Sequence, residues 1–281
     1  MIQGPCILML NHIKSNSSFY VFSENFMSKV FLNGQVGRIE GFYSHSRAEA
    51  PLALLLHPHP EYHSVVDSDV MNNIYDILFN HGYNTLKINF RGIGLSEGSF
   101  DCGTGEMIDA ATALDWLQAH NQNSGRILVV GLSFGAWIAM QLIMRRPEIN
   151  DFIAISPPVD NYDFSFLSPC PISGMFVRGS NDSVVLEESV LRVIEKLQKQ
   201  SNISIEYQFV RGADHFFRGK VKKLGNIVQE YITSHSPNKD FIIPPQFEAV
   251  QDDRQFEDQT KIKDDNCSIE QGQELQELIL D

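Results

Sequence analysis

The chain is poor in several things, and each shortage excludes a class of protein. Its 281 residues hold only 4 cysteines, Cys6, Cys102, Cys170 and Cys267, widely spaced and without a C-x-x-C pair. A small disulfide-stapled domain looks different, and the pattern points to a reducing cytoplasm. No run approaches the roughly 18 apolar residues of a membrane span. Cys6-Ile7-Leu8-Met9-Leu10 is too short for a signal-peptide core, and no basic region precedes it. Basic charge is also scarce, with 22 Lys+Arg against 35 Asp+Glu and a net charge of −13. A nucleic-acid binder needs a basic face, so that class is excluded.

What remains is ordinary globular composition, 43% hydrophobic and 20% charged. The length suits one large α/β domain or two small ones. The acidity is unevenly spread: residues 236–281 carry 12 Asp/Glu and 4 Lys/Arg, which is −8 of the total and leaves −5 for the rest. Three parts follow: a leader over 1–26 without clear periodicity, a domain over 27–235, and an acidic tail over 236–281. Either Met27 is the true start or the leader is a loosely attached arm. The tail is Gln-rich and low in aromatics, a composition that does not bury enough surface to order itself. Its last apolar residues, Leu275, Leu278 and Ile279, are either a frayed terminus or a docking helix.

Within the domain, Val30–Leu32, Asn33-Gly34 and Val36–Tyr43 predict a β-hairpin turning at Asn-Gly. Apolar runs predict strands at Leu52–Leu56, Tyr83–Phe90, Ile127–Val130, Phe152–Ile155, Ile172–Val177 and Ile203–Val210. Helical stripes lie between them, at 67–80, 105–120, 136–142, 184–198 and 216–233. In the second of these Met107, Ile108, Ala111, Leu114 and Leu117 are expected to face the core. The alternation predicts an α/β fold: a mostly parallel central sheet with helices on both faces after an opening hairpin. Its reactive loops belong at the carboxyl ends of the strands.

The chain is organised around Gly131-Leu132-Ser133-Phe134-Gly135, set between a buried strand and a helix. G-x-S-x-G in that context forms a sharp turn that exposes the serine at the mouth of the sheet. The Phe134 N–H then opens the helix and points at any negative charge forming near Ser133. A serine needs a neighbouring base, and a strand-end base after Ser133 must be His215, because His235 lies beyond the last helix. For the acid Asp182 ranks first, with its role as a helix cap, and Asp160 and Asp163, as competitors. Asp214 is adjacent to His215, where it does not point at the ring.

The loop after Leu56 reads His57-Pro58-His59-Pro60-Glu61-Tyr62-His63. Prolines have no N–H, so His59 is the natural second oxyanion donor. Three histidines so close also raise a metal site, but their spacing matches no standard metal motif; His57 and His63 are left as loop packing. The glycines of Arg91–Gly98 are spaced G-x-G-x-x-x-G, not as a dinucleotide fingerprint, and read as a tight structural loop.

Together, LLLHPHPEY, NFRGIGLSEGSF, GLSFGAW, RGSNDSVV and GADHFFRG resemble the small bacterial esterase-like α/β-hydrolases related to dienelactone hydrolases, over about residues 30–234. The resemblance implies Ser133 as nucleophile, Asp182 as acid, His215 as base, and the N–H groups of Phe134 and His59 as the oxyanion hole. Dienelactone hydrolases carry Cys at the nucleophile, so the expectation is a cytoplasmic serine esterase of small or medium acyl groups. Thioesterase or peptidase chemistry, or a non-catalytic scaffold, are its alternatives. No cofactor or metal is expected, the partner is a small-molecule ester, and a homodimer is allowed. Only 156–171 separate two strands, too few for a large lid. The pocket is therefore expected to be open and lined partly by Pro157, Pro158, Tyr162, Phe164 and Phe166.

Overall fold

The computed structural model describes residues 27–59 and 69–235. The expected leader, the acidic tail and His63 lie outside the described residues. The elements are β1 (Ser28–Gly34), β2 (Gly37–Ser44), β3 (Leu52–Leu56), α1 (Asp69–Asn80), β4 (Asn84–Ile88), α2 (Thr104–Ala119) and β5 (Ile127–Leu132). They continue with α3 (Phe134–Ile143), β6 (Asp151–Ile155), β7 (Gly174–Gly179), α4 (Glu187–Gln198), β8 (Ile205–Val210) and α5 (Val221–His235). One eight-stranded sheet results, in the order β1-β2-β4-β3-β5-β6-β7-β8. The β1–β2 and β2–β4 pairs are antiparallel and all the others parallel.

The apolar runs of β3 to β7 become central strands because each buries both faces, whereas β8, at the edge of the sheet, is half-exposed. In β3, Leu52, Leu54 and Leu56 join the core under α2, α3 and α4, while Ala53 and Leu55 join the core under α1 and α5. The path runs from β3 outward to β4, then returns across β3 to β5 and continues the other way. That reversal opens a crevice at the carboxyl ends of β3 and β5, where such sheets hold ligands. The loop at 57–59 and Ser133 both emerge there.

Two details depart from the sequence reading. The hairpin forms, but Gly34 pairs with Gly37, so the turn is Gln35-Val36 rather than Asn33-Gly34. Gly37 takes the positive φ of 130°, and a Cβ there would overlap the Glu97 side chain. Glu97 in turn accepts the Arg38 N–H at 2.8 Å, which sets the turn from 59 residues away.

In α2 the buried face is Gly105, Glu106, Asp109, Ala110, Ala113, Leu114 and Leu117, whereas Met107, Ile108 and Ala111 are half-buried. The helix is rotated because two carboxylates have partners inside. Glu106 accepts the N–H groups of Asp101 and Gly103 at 2.9 and 2.7 Å. Asp109 takes the Arg91 guanidinium through Nε and Nη2 at 3.0 and 2.8 Å and the Arg91 N–H at 3.0 Å. This fork ties the glycine loop after β4 to α2 and holds Arg91 above the ordinary arginine value. Among the described residues, Cys170 is a free buried thiol.

Asp109→Ala removes the forked partner of the buried Arg91 and leaves it only the longer 3.8 Å ion pair to Asp101. It should lower the unfolding free energy by roughly 3–5 kcal/mol, read from urea denaturation against the parent; a loss below 1 kcal/mol contradicts the clamp.

Candidate active site

Ser133 is held by the turn between β5 and α3. Its backbone sits at φ 53°, ψ −119°, a region that an L-residue enters only under constraint. A Cβ at Gly131 would overlap the Gly135 carbonyl, and one at Gly135 would overlap the carbonyls of Leu56 and His57. Only glycine allows both approaches, and they press the start of α3 onto the end of β3. The Ser133 N–H donates to the Ile155 carbonyl at 2.8 Å, fixing the turn from the neighbouring strand.

Three loops meet at this serine. His215 Nε2 lies 2.8 Å from Ser133 Oγ, and His215 Nδ1 lies 2.8 Å from Asp182 Oδ2. Asp182 Oδ1 accepts the N–H groups of Val184 and Val185 at 2.9 and 3.1 Å. The carboxylate thus serves the ring with one oxygen and the turn before α4 with the other. Burial alone would raise its pKa, but the hydrogen bond and charge of His215 and the two amides outweigh that and hold it below the usual carboxylate range. Ser133 is only 6% exposed, which corrects the expectation of an exposed hydroxyl: the Oγ turns inward to His215.

The other candidates are placed elsewhere. Asp160 Oδ2 accepts the Leu186 N–H at 2.7 Å, and Asp163 accepts the N–H and hydroxyl of Ser165, both at 2.8 Å. Asp214 accepts the Arg218 N–H at 2.9 Å. His235 stacks on Tyr231 at the end of α5.

The first turn of α3 presents the Phe134 N–H, one of the helix-start donors without an intrahelical acceptor. The Phe134 ring is a hub, with Phe90, Phe100, Trp137 and Tyr162 at 5.7–5.9 Å and the His59 ring at 5.2 Å. The fold therefore brings His59 beside the residue that follows the serine.

His57 does not behave as a metal ligand. Its Nε2 accepts the Phe90 N–H at 2.9 Å, so Nδ1 carries the proton and donates to the Pro58 carbonyl at 2.6 Å. Both nitrogens are used, Nε2 to join the ends of β3 and β4 and Nδ1 within its own loop. Among the described residues no cluster of three or more His, Cys, Asp or Glu is placed to hold a metal ion.

Two residues that carry the geometry escaped the sequence reading. Ser156, fully buried at φ 45°, donates from Oγ to the His215 carbonyl at 2.8 Å and from N to Val177 at 2.8 Å. Arg178, buried at the end of β7, donates to the carbonyls of Asp182 and Val185 at 3.2 and 2.9 Å. Its only signal in sequence is a lone arginine closing an apolar run.

A family model for X-Pro dipeptidyl-peptidase (S15 family) matches residues 43–169. The uncharacterized protein RP471 of Rickettsia prowazekii (strain Madrid E) is 50% identical over 217 residues, 75% of this chain and 91% of that protein. ATU1826 of Agrobacterium tumefaciens, a protein of unknown function solved as a candidate α/β hydrolase, is 43% identical with a TM-score of 0.72. That match covers 78% of this chain and 100% of the other. XC6422 of Xanthomonas campestris, an α/β serine hydrolase without a lid, shares the fold at 24% identity and a TM-score of 0.67, over 75% and 96% of the two chains.

Burial pushes the His57 imidazole down to about 4, so the folded chain keeps it neutral while the unfolded chain protonates it near 6.5. Its contribution is fully present above about pH 6.5 and is lost as pH falls towards about 4, in total about 3 kcal/mol. Urea denaturation at pH 7 and 4.5 should show a smaller drop for His57→Gln than for the parent, and equal drops contradict the assignment.

Proposed function

The chain belongs to the α/β-hydrolase superfamily, and from that premise we propose that it is a serine carboxylic-ester hydrolase working through an acyl-enzyme. The observation that supports it most is the relay from Asp182 through His215 to Ser133, two contacts of 2.8 Å in series. Ser133 Oγ attacks the ester carbonyl carbon as His215 Nε2 takes its proton. Asp182 holds the ring in the Nδ1–H tautomer and stabilises the imidazolium. The carbonyl oxygen, now negative, receives the N–H groups of Phe134 and His59. Collapse of the tetrahedral intermediate breaks the bond to the alcohol, which leaves with the proton from Nε2. Water then repeats the sequence on the acyl-enzyme and releases the acid. The reading draws on no metal or cofactor.

Small or medium acyl groups are proposed because the link from β6 to β7 is short and holds no cap domain, only a single 3₁₀ turn at Ser165–Leu167. Peptide cleavage is the second reading, favoured by the S15 match, which spans Ser133 but not Asp182 or His215. The compartment is proposed to be a reducing cytoplasm, because the 4 cysteines are widely spaced and form no C-x-x-C pair.

Ser133→Ala should lower kcat/KM for p-nitrophenyl butyrate by about 10⁴-fold or more, and Asp182→Asn by a comparable factor, with KM nearly unchanged. Retained activity in Ser133→Ala sinks the mechanism. An Xaa-Pro p-nitroanilide cleaved faster than the ester would favour the peptidase instead. Thiol alkylation of protein denatured straight from cells tests the compartment: all 4 cysteines should label, and a cysteine that labels only after reductant contradicts the cytoplasm.

A further inference from the structure

A cavity lies beside the relay rather than in it. It is a groove of about 550 Å³ between the loop after β6 and α4, and Ser133, Asp182 and His215 are not among its walls. Its apolar surface comes from Val159, Tyr162, Phe164, Leu167, Val193 and Leu197. Of the residues expected to line the substrate pocket, Tyr162 and Phe164 line this groove instead, Pro157 and Pro158 are buried, and Phe166 is half-buried against Phe164 and absent from the groove's walls. Tyr162 is the shared partition: its ring stacks on Trp137 at 4.5 Å and meets Phe134 at 5.7 Å, next to the nucleophile.

We propose that this groove binds an amphipathic carboxylate, with the acyl chain along the apolar wall and the anionic head at Arg192 and Lys196 of α4. The volume falls in the range of small-ligand sites, roughly 300–1,000 Å³. The two cations stand one helical turn apart on the face of α4 that lines the groove. Neither is in an ion pair among the described residues, in a chain of net charge −13. Glu188 lies four residues before Arg192, yet the guanidinium donates to Ser189 Oγ at 2.8 Å instead. The carboxylates across the groove are committed elsewhere, Asp160 to the Leu186 N–H and Asp163 to Ser165. A charged head is therefore drawn to the α4 side, and two cations suit a carboxylate. The choice of a carboxylate rests on the ester-hydrolase reading, whose product acid has this chemistry; the groove and its cations do not.

Calorimetric titration of the full chain with octanoate tests the proposal. The expected result is saturable one-to-one binding, weakened about tenfold or more in Arg192→Gln/Lys196→Gln, a change of roughly 1.4 kcal/mol. Octan-1-ol, with the same chain and no charge, should bind the parent at least about tenfold more weakly. The double variant should hydrolyse p-nitrophenyl acetate at the parent's rate, since neither residue touches the relay. Absence of saturable binding, equal affinity in the double variant, or equal affinity for the alcohol each overturns the proposal. A parent inert towards p-nitrophenyl acetate whose octanoate binding still depends on Arg192 and Lys196 overturns the ester reading and leaves the groove standing.

Discussion

The close approach of the first turn of α3 to the end of β3 is the constraint on which the rest of the site depends. It exists because positions 131 and 135 have no Cβ to collide with the carbonyls facing them. With both glycines in place the chain reverses within two residues, and Ser133 is forced to φ 53°. Such a conformation costs on the order of 1–3 kcal/mol and persists only where the surroundings over-determine it. Here they do: β5 and α3 are buried almost throughout, and the Ser133 N–H is tied to β6. Sheet packing thus places a hydroxyl where relaxed backbone would not.

The partners of that hydroxyl are set by a lattice of backbone contacts between strand-end loops. Gly179 lets the acid loop press on the carbonyls of Ala213 and Asp214, and the Asn181 N–H donates to Ala213 at 2.8 Å. Arg178 braces the acid loop from below, and Ser156 fixes the carbonyl of His215. Burial makes each of these polar contacts worth more than it would be in water, and costly to leave unmade. The imidazole is therefore positioned by its main chain as much as by Asp182. The aromatic hub at Phe134 does the same for the other rim, joining the loop at His59 to α3 and, through Tyr162, to the groove.

Much of this was legible in the sequence because the signals are local. A run as short as Leu52–Leu56 reads as a strand buried on both faces, and strand, G-x-S-x-G, helix states the elbow outright. Chain order put Ser133 and His215 at strand ends on one rim and ranked Asp182 first, while the choice over Asp160 and Asp163 needed the 2.8 Å contact to His215. What escaped depends on contacts between distant residues. Asn33-Gly34 is a sound local turn signal, but Glu97, from the loop after the neighbouring strand β4, favours Gly37 for the unusual backbone. The face of α2 looked aliphatic until Arg91 and two loop amides gave Asp109 and Glu106 reasons to be inside. Ser156 and Arg178 act on backbone carbonyls, which no side-chain motif spells.

The proposed chemistry requires that His215 make Ser133 nucleophilic. Intact-mass analysis after treatment with a fluorophosphonate probe, followed by peptide mapping, tests it most directly. The account predicts a single adduct on Ser133 that forms readily in the parent and is suppressed in His215→Ala, with the fold of both proteins intact by circular dichroism. A folded parent that takes up no probe, or an adduct that forms equally fast without the imidazole, would contradict it.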